Sequence, residues 1–459
     1  AALLAKQDAE QQRIRAEAGE ASAERNAALA EEKRIEAEKN EQLAKVRERE
    51  AIVAKAAADR LRYLALGKAM GLKSTQLRTE QKELKGLLAQ HAYLFNSKYE
   101  GDPYDNDIYD GLYYAIKELD DPLVKSLEGH EKGIRTLTSS PNGNLVFSAD
   151  TEGKILKWSL QGERRVADTL ASSRRQNHVV RSLAVTSDNS RLIAGGEFNR
   201  GSGASYVEIL QTSGKNEPKQ LDGFEGSVWN LIITPDDQGF YTLDKGGKSI
   251  KYSNFNEVNE VATSNIRLND IALSNDGNYI IAAGNNGKIY LFDTQRNFAQ
   301  SEIYNNGAKV LNIATSQDNQ VAIGDETGLI KVFKLFGNQG VTRLVGHSSP
   351  IEAIEFSRDG RFIATASRDK TVRLWNRKRL NAQPITLKDH PDWVFSIAFT
   401  PNGQQILAGT KETVVRAWPT NIEVMTDKIC SKIDRNMTED EWQAFVGDDV
   451  PYEKTCQDK

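Results

Sequence analysis

The sequence predicts an all-β, seven-bladed β-propeller between about Pro122 and Trp418, preceded by a long α-helical stalk and a small helical cap and followed by a short helical tail. The first observation is a period. Strands ending in a large residue recur as KILKW (Trp158), YVEIL (Leu210), KSIKY (Tyr252), GKIYLF (Phe292), LIKVF (Phe333), TVRLW (Trp375) and VVRAW (Trp418), about 40 to 43 residues apart except for a longer interval before Leu210 that holds the insertion EFNRGSGAS. The second is a strand-turn-strand unit ahead of each ending, from IRTLTSSPNGNLVFSA in the first copy to VFSIAFTPNGQQILAG in the last. Its turns carry NG, DD, DG, DN or close relatives, which accept positive φ. Seven such copies describe a ring of blades.

Composition bounds the function before any motif is read. At 459 residues the chain exceeds one ordinary core, so a large repeat fold and at least one further unit are expected. Lys plus Arg number 60 against 64 Asp plus Glu, a formal charge of -4, which gives no overall field to attract nucleic acid. No run of 18 apolar residues occurs, and the N-terminus lacks the layout of a signal peptide. The chain begins at Ala inside a helical pattern, so any membrane anchor is expected upstream of Ala1.

Residues 1–60 are almost wholly Ala, Glu, Lys, Arg and Gln, the composition of a long exposed helix, which at 1.5 Å per residue would extend about 90 Å. Glu24, Ile35, Val46 and Ala57 recur every eleven residues, a period close to that of a straight helix. The expectation divides between a solitary helix braced by charge pairs among Glu32, Lys33, Arg34 and Glu36 and a stalk that self-associates into a homo-oligomer. Residues 61–121 read as a small helical domain: Leu84, Leu87, Leu88, His91, Leu94 and Phe95 share one face, and Ile108, Leu112, Ile116 and Leu119 another. The loop GDPYDND offers caps for the last of these helices. As a calcium loop it fails, because Gly111 at loop position six puts Ile108, which has no side-chain oxygen, at position three. GKAMGLKS fails as a phosphate loop, because Leu72 separates Gly71 from Lys73.

The blade segment LVGHSSPIEAIEFSRDGRFIATASRDKTVRLW resembles the WD-repeat family: His347, Asp369 and Trp375, with Ser367 or Thr365, match the family's hydrogen-bonded set. Trp158 and Trp418 are the corresponding structural residues of the first and last blades. In the other blades Leu210, Tyr252, Phe292 and Phe333 replace Trp, and those blades are expected to rely on apolar packing. The last blade lacks an outer strand, and residues 123–127 are expected to supply it and close the ring. The domains then read 1–60, 61–121, 122–418 and 419–459.

No catalytic group assembles from the sequence. His130, His178, His347 and His390 all precede the first strand of a blade, a position the repeat explains, and His91 lies on an apolar helical face. No cofactor and no metal cluster is expected, and no G-x-S-x-G or H-E-x-x-H occurs. Cys430 and Cys456, the only cysteines, flank a compact tail, which suggests a disulfide staple and an extracytoplasmic or periplasmic setting. That tail, with Thr438 and Glu441 spaced as a capping box, resembles the segment following propellers in bacterial WD-repeat proteins related to STAND ATPases and membrane-anchored sensors. QHAYLFNSKYEG and IYDGLYYAIKEL resemble the linker of the same group.

Strand alternation directs one residue of each inner strand at the central mouth: Arg135, Arg181, Trp229, Asn269, Leu311, Glu352 and Phe395. Arg267 and Trp393 stand two residues earlier on the same side, and Arg368 flanks the turn before the third strand of blade 6. Arg and Trp are the types that most often dominate binding energy, so Arg135, Arg181, Trp229, Arg267, Arg368, Trp393 and Phe395 are the candidate partner-binding residues. Alternatively, Trp229 and Trp393 pack between blades and the arginines are solvated. The expected function is a non-enzymatic, membrane-associated scaffold that binds other proteins and not nucleic acid. The alternatives are a signalling sensor whose ATPase lies upstream and a carbohydrate-binding propeller.

Overall fold

The computed structural model describes residues 2–141, 145–160, 167–171, 178–198, 204–214, 217–244, 246–337, 340–457 and 459. Two compact units are distinguished, Ala1–Leu66 and Gly67–Lys459. The insertion before Leu210 falls partly outside the described residues.

The first unit is helical throughout its described length, part of helix α1 (Ala2–Gln76). The boundary expected at residue 60 is therefore corrected: the composition changes there, but no helix-breaking residue intervenes and the helix continues. Arg34 pairs with Glu31 at 2.7 Å and Lys45 with Glu41 at 2.6 Å, exposed one-turn pairs of the kind that add a few tenths of a kcal/mol each. Ile35 and Val46 are 56% and 48% exposed.

In the second unit the end of α1 joins α2 (Lys82–Lys98), α3 (Asn106–Glu118), α4 (Ile422–Lys432) and α5 (Glu439–Phe445) in a helical cap. Gly71 and Gly111 let α1 and α3 touch backbone to backbone. A Cβ on Gly71 would lie 2.7 Å from the Asp107 carbonyl oxygen, and one on Gly111 2.9 Å from that of Gly71. Both glycines of the rejected phosphate and calcium loops are thus packing residues. Asp105 caps α3, accepting from the Asp107 N–H at 3.0 Å, and Thr438 and Glu441 form a full capping box on α5. A disulfide joins Cys430 in α4 to Cys456, with the Cα atoms 5.6 Å apart.

Seven four-stranded antiparallel sheets follow. Their inner strands are Ile134–Ser139, His178–Val185, Asn230–Ile233, Leu268–Leu273, Val310–Thr315, Ile351–Phe356 and Val394–Phe399. The cores lie between blades: Leu268, Ile271 and Ile280 of blade 4 pack with Leu243 and Ile250 of blade 3, and Ile134 and Val146 of blade 1 with Leu407 and Val415 of blade 7. Blade 7 is completed by an N-terminal strand, with Leu127 opposite Val415 and Glu128 opposite Val414. The expected closing strand at 123–127 is corrected to Leu127–Glu128. Pro122–Val124 form a 3-10 turn capped by Asp121, which accepts from the Leu123 N–H at 2.9 Å.

Candidate functional site

Six of the seven inner strands carry a β-bulge at one place: between Ile134 and Thr136, Val180 and Ser182, Leu268 and Asp270, Val310 and Asn312, Ile351 and Ala353, and Val394 and Ser396. The residues left unpaired are Arg135, Arg181, Asn269, Leu311, Glu352 and Phe395. Bulges re-aim side chains, and here they turn these residues toward the axis. In blade 3 the equivalent Trp229 precedes its strand, its N–H bonded to the Leu243 carbonyl at 2.8 Å.

These residues line a cavity of about 480 Å³ at one end of the central channel, together with Arg267, Lys309 and Arg368. Of the seven candidates, Arg135, Arg181, Trp229, Arg267, Arg368 and Phe395 lie in its wall. Trp393 lies outside that wall, and its ring carries the Arg368 guanidinium 4.9 Å from its centroid. At 42% exposed, it is not packed between blades. The Trp229 ring receives two guanidinium groups, Arg181 at 4.5 Å and Arg267 at 5.2 Å. Arg135 stands 5.1 Å over Phe395, which meets Trp393 edge-on at 6.4 Å. Such stacks hold arginines extended while leaving donors for a ligand. Arg368 pairs with Glu352 at 2.5 Å, and Arg181 with Glu197, whose other oxygen accepts from Ser227. The Trp229 indole N–H and the Arg181 Nε are buried with no hydrogen-bond partner among the described residues.

Polar ties beneath the mouth join neighbouring blades. Asn269 donates to the Val310 carbonyl and Asn312 to that of Ile351, both at 2.6 Å. Asp270 accepts from Asn230 of blade 3 and from the Ile313 N–H of blade 5 at 2.9 Å. Burial, opposed by those donors, pushes the Asp270 carboxyl up to about 7. Burial likewise takes Glu355, which accepts from the Phe399 N–H at 3.2 Å, up to about 8. Neither acid stood out in the sequence, since neither recurs with the repeat. A second cavity of about 520 Å³ lies at the opposite end of the channel beside Ser274, Gln317 and Arg358. A groove of about 660 Å³ lies between blades 2 and 3, near Arg191, Lys219 and Asp237 and away from the predicted residues.

In blade 6 one of the two hydroxyls offered by the sequence, Thr365, joins His347, Asp369 and Trp375 in a hydrogen-bonded set. His347 Nδ1 donates to Asp369 at 2.7 Å, Thr365 donates to His347 Nε2 at 2.8 Å, and the Trp375 indole donates to Thr365 at 2.9 Å. The hydroxyl is Thr365; Ser367 instead donates to the Ser349 carbonyl at 2.9 Å. A second complete set, which the sequence reading missed, joins His130, Ser148, Asp150 and Trp158 in blade 1, at 3.1 Å from His130 to Asp150, 2.6 Å from His130 to Ser148 and 2.7 Å from Trp158 to Ser148. In blade 7 His390 lies 4.4 Å from the Trp418 ring, centroid to centroid. The side chain of His178 lies outside the described residues. Among the described residues no group of three His, Cys, Asp or Glu side chains is placed to hold a metal.

The family model "WD domain, G-beta repeat" matches residues 121–159, 259–293, 338–376 and 382–419. Four of the seven blades thus match the WD40 repeat, on a seven-bladed β-propeller fold. Among relatives of this propeller, WD repeat and SOCS box-containing protein 1 of Homo sapiens is 31% identical over 99 residues, 21% of this chain and 24% of that protein. Eukaryotic translation initiation factor 3 subunit I of Brugia malayi is 22% identical over 324 residues, 70% of this chain and 86% of that protein. The WD40 β-propeller domain of Doa1 superposes with a TM-score of 0.55 at 19% identity, covering 66% of this chain and 97% of the domain, a likeness of fold. The chain spans between 24% and 51% of the length of the three curated relatives it matches first. WD-repeat propellers generally act as protein-interaction scaffolds without enzymatic activity.

Proposed function

We propose that this WD40 chain is a non-enzymatic scaffold that docks a protein partner at the mouth bearing Arg135, Arg181, Trp229, Arg267, Arg368, Trp393 and Phe395. The observation that carries the reading is the convergence of bulged and flanking residues into arginine–aromatic stacks around one cavity. Rigid aromatic anchors and extended guanidinium groups concentrate binding energy in few residues. A scaffold needs no reacting group, and the buried His130 and His347 are held by the hydrogen-bond networks of their blades.

The Cys430–Cys456 disulfide supports an oxidising, extracytoplasmic compartment. The tail's resemblance to membrane-anchored bacterial WD-repeat proteins supports a membrane-associated assembly. The exposed Ile35 and Val46 on α1 support self-association, so Ile35→Ser with Val46→Ser should lower the mass seen by light scattering if copies join there.

The docking face is tested with a photo-crosslinking side chain placed at Leu311 in the mouth or at Gln317 at the opposite end, in cells of the source. Partner adducts are expected from Leu311. Adducts confined to Gln317 would move the interface to the other face.

A further inference from the structure

We propose that the mouth selects an acidic peptide segment of its protein partner, seating a side-chain carboxylate among Arg135, Arg181, Arg267, Lys309 and Arg368; this rests on the docking reading above. Five cations line the cavity against two acids, Asp270 and Glu352. Of the acids, Glu352 is spent on Arg368, and Asp270 is buried beneath the wall with its oxygens turned to Asn230 and the backbone. The mouth is therefore cationic although the whole chain carries a formal charge of -4. Positive charge gathered around one concave site, in a chain whose net charge is slightly negative, is a local recognition device.

Donors are in surplus as well as charge. Arg267 and Lys309 have no carboxylate partner among the described residues, and the Trp229 indole N–H and Arg181 Nε are buried without acceptors. A buried donor left unpaired is costly, and an arriving acceptor removes that cost. A carboxylate supplies acceptors in the planar geometry that guanidinium matches. Two features favour a singly charged carboxylate over a phosphate dianion: Glu352 and Glu197 stand beside Arg368 and Arg181 and repel a second negative charge. The site also differs from a nucleic-acid track, which needs cations spaced along a backbone and not gathered around one cavity.

The test uses the full chain and fluorescence anisotropy with a short, terminally capped, rhodamine-labelled peptide alternating Asp with Gly. Comparison probes carry Asn or phosphoserine in place of Asp, and a labelled single-stranded DNA completes the set. Saturable binding of the Asp peptide is expected, weaker by about tenfold or more for the Asn peptide and falling as salt rises. Arg267→Gln with Lys309→Gln should weaken the Asp peptide by about tenfold while melting with the unaltered protein. Arg296→Gln with Lys334→Gln, which removes exposed charge away from the mouth, should leave affinity unchanged. Equal binding of Asp and Asn peptides, unaltered affinity in the folded Arg267/Lys309 variant, or binding of only the phosphoserine peptide or the DNA would each overturn the proposal. If crosslinking at Leu311 captures a partner and the Asp peptide still does not bind, the docking reading stands and the acidic one falls.

Discussion

Blades 6 and 7 place the same two residues, His347 and Trp375 in one and His390 and Trp418 in the other, at the same separation, and hold them by different means. In blade 6 Thr365 stands between imidazole and indole, and Asp369 fixes the other ring nitrogen. In blade 7 Ala408 occupies the place of Thr365, and Glu412, in the place of Asp369, turns to Arg416 at 2.8 Å. Neither ring nitrogen of His390 has a hydrogen-bond partner among the described residues. Unsatisfied buried groups of this kind cost about 1–3 kcal/mol. Blade 7 has help from outside the repeat: Leu127–Glu128 complete its sheet, Tyr109 of α3 donates to the Pro419 carbonyl at 2.8 Å, and Lys117 pairs with Asp389 in the approach loop. A blade that closes the ring and is backed by the cap can dispense with its own polar network; blade 6 also meets the cap, where Asn106 donates to the Pro384 carbonyl and accepts from the Thr386 N–H, both at 2.9 Å, but it has no closing strand and keeps its network.

The largest expected effect is on packing. Trp375→Ala should cost about 3–5 kcal/mol in urea unfolding, since it empties a buried site and strips a donor from Thr365. A cost under about 1 kcal/mol would break the claim that the network holds blade 6.

Next is the staple that backs blade 7. Reducing Cys430–Cys456 releases a loop whose closure is worth about 3 kcal/mol in the loop-entropy model, and α4 follows directly from the last strand of that blade. Melting with and without reductant measures it. Mass after alkylation of freshly isolated protein checks the compartment, because two alkylated thiols would exclude an extracytoplasmic disulfide.

The pH response separates the two histidines further. Burial, with Arg416 adding to it, lowers His390 to about 3, so the unfolded chain takes up a proton below its ordinary value of about 6.5 that the fold refuses. Stability from this residue is therefore full above pH 6.5 and falls as pH drops toward 3. Between pH 7.5 and 5 the loss is about 2 kcal/mol, which His390→Phe should remove when the two proteins are compared by urea unfolding. In blade 6 burial also lowers His347, but Asp369 opposes the shift. For Asp369 itself, burial raises the carboxyl and the hydrogen bonds from His347, Thr371 and the Ser348 N–H outweigh it, so it lies well below the usual range. That contribution is present above about pH 4 and lost only as pH falls through the folded value. An identical pH response in His390→Phe and the unaltered protein would break the comparison.

The smallest effect is a gain. Ala408→Ser supplies blade 7 with the missing hydroxyl and should stabilise by about 1 kcal/mol, with the His390 ring acquiring a hydrogen bond visible by NMR. No gain would show that the cap and the closing strand have already taken up the slack.

The seven blades were legible because a strand pattern repeated seven times leaves one topology, and the mouth residues because they share a register position. Alternation alone does not aim Arg135 or Phe395 at the axis, and the bulge that does leaves no mark in residue type. The blade 1 network was missed because Asp150 lies eight residues before Trp158, whereas Asp369 lies six before Trp375. The closing strand was placed too early because apolar residues at Leu123 and Val124 read as strand, while Asp121 and Pro122 favour a capped turn. The helix boundary at residue 60 was read from composition, to which backbone hydrogen bonding is indifferent. Asp270 and Glu355 tie particular pairs of blades and carry no periodic signal.

The most direct test of the docking claim is calorimetric titration of the crosslinked-and-identified partner into the unaltered chain and into a folded variant bearing Arg181→Ala, Trp229→Ala and Trp393→Ala. Either Arg181→Ala or Trp229→Ala alone should weaken binding by about 1 to 4 kcal/mol, and the triple variant by more, with melting showing the ring intact. Affinity unchanged in the folded triple variant would contradict docking at this mouth and place the partner on the blade edges or the N-terminal helix.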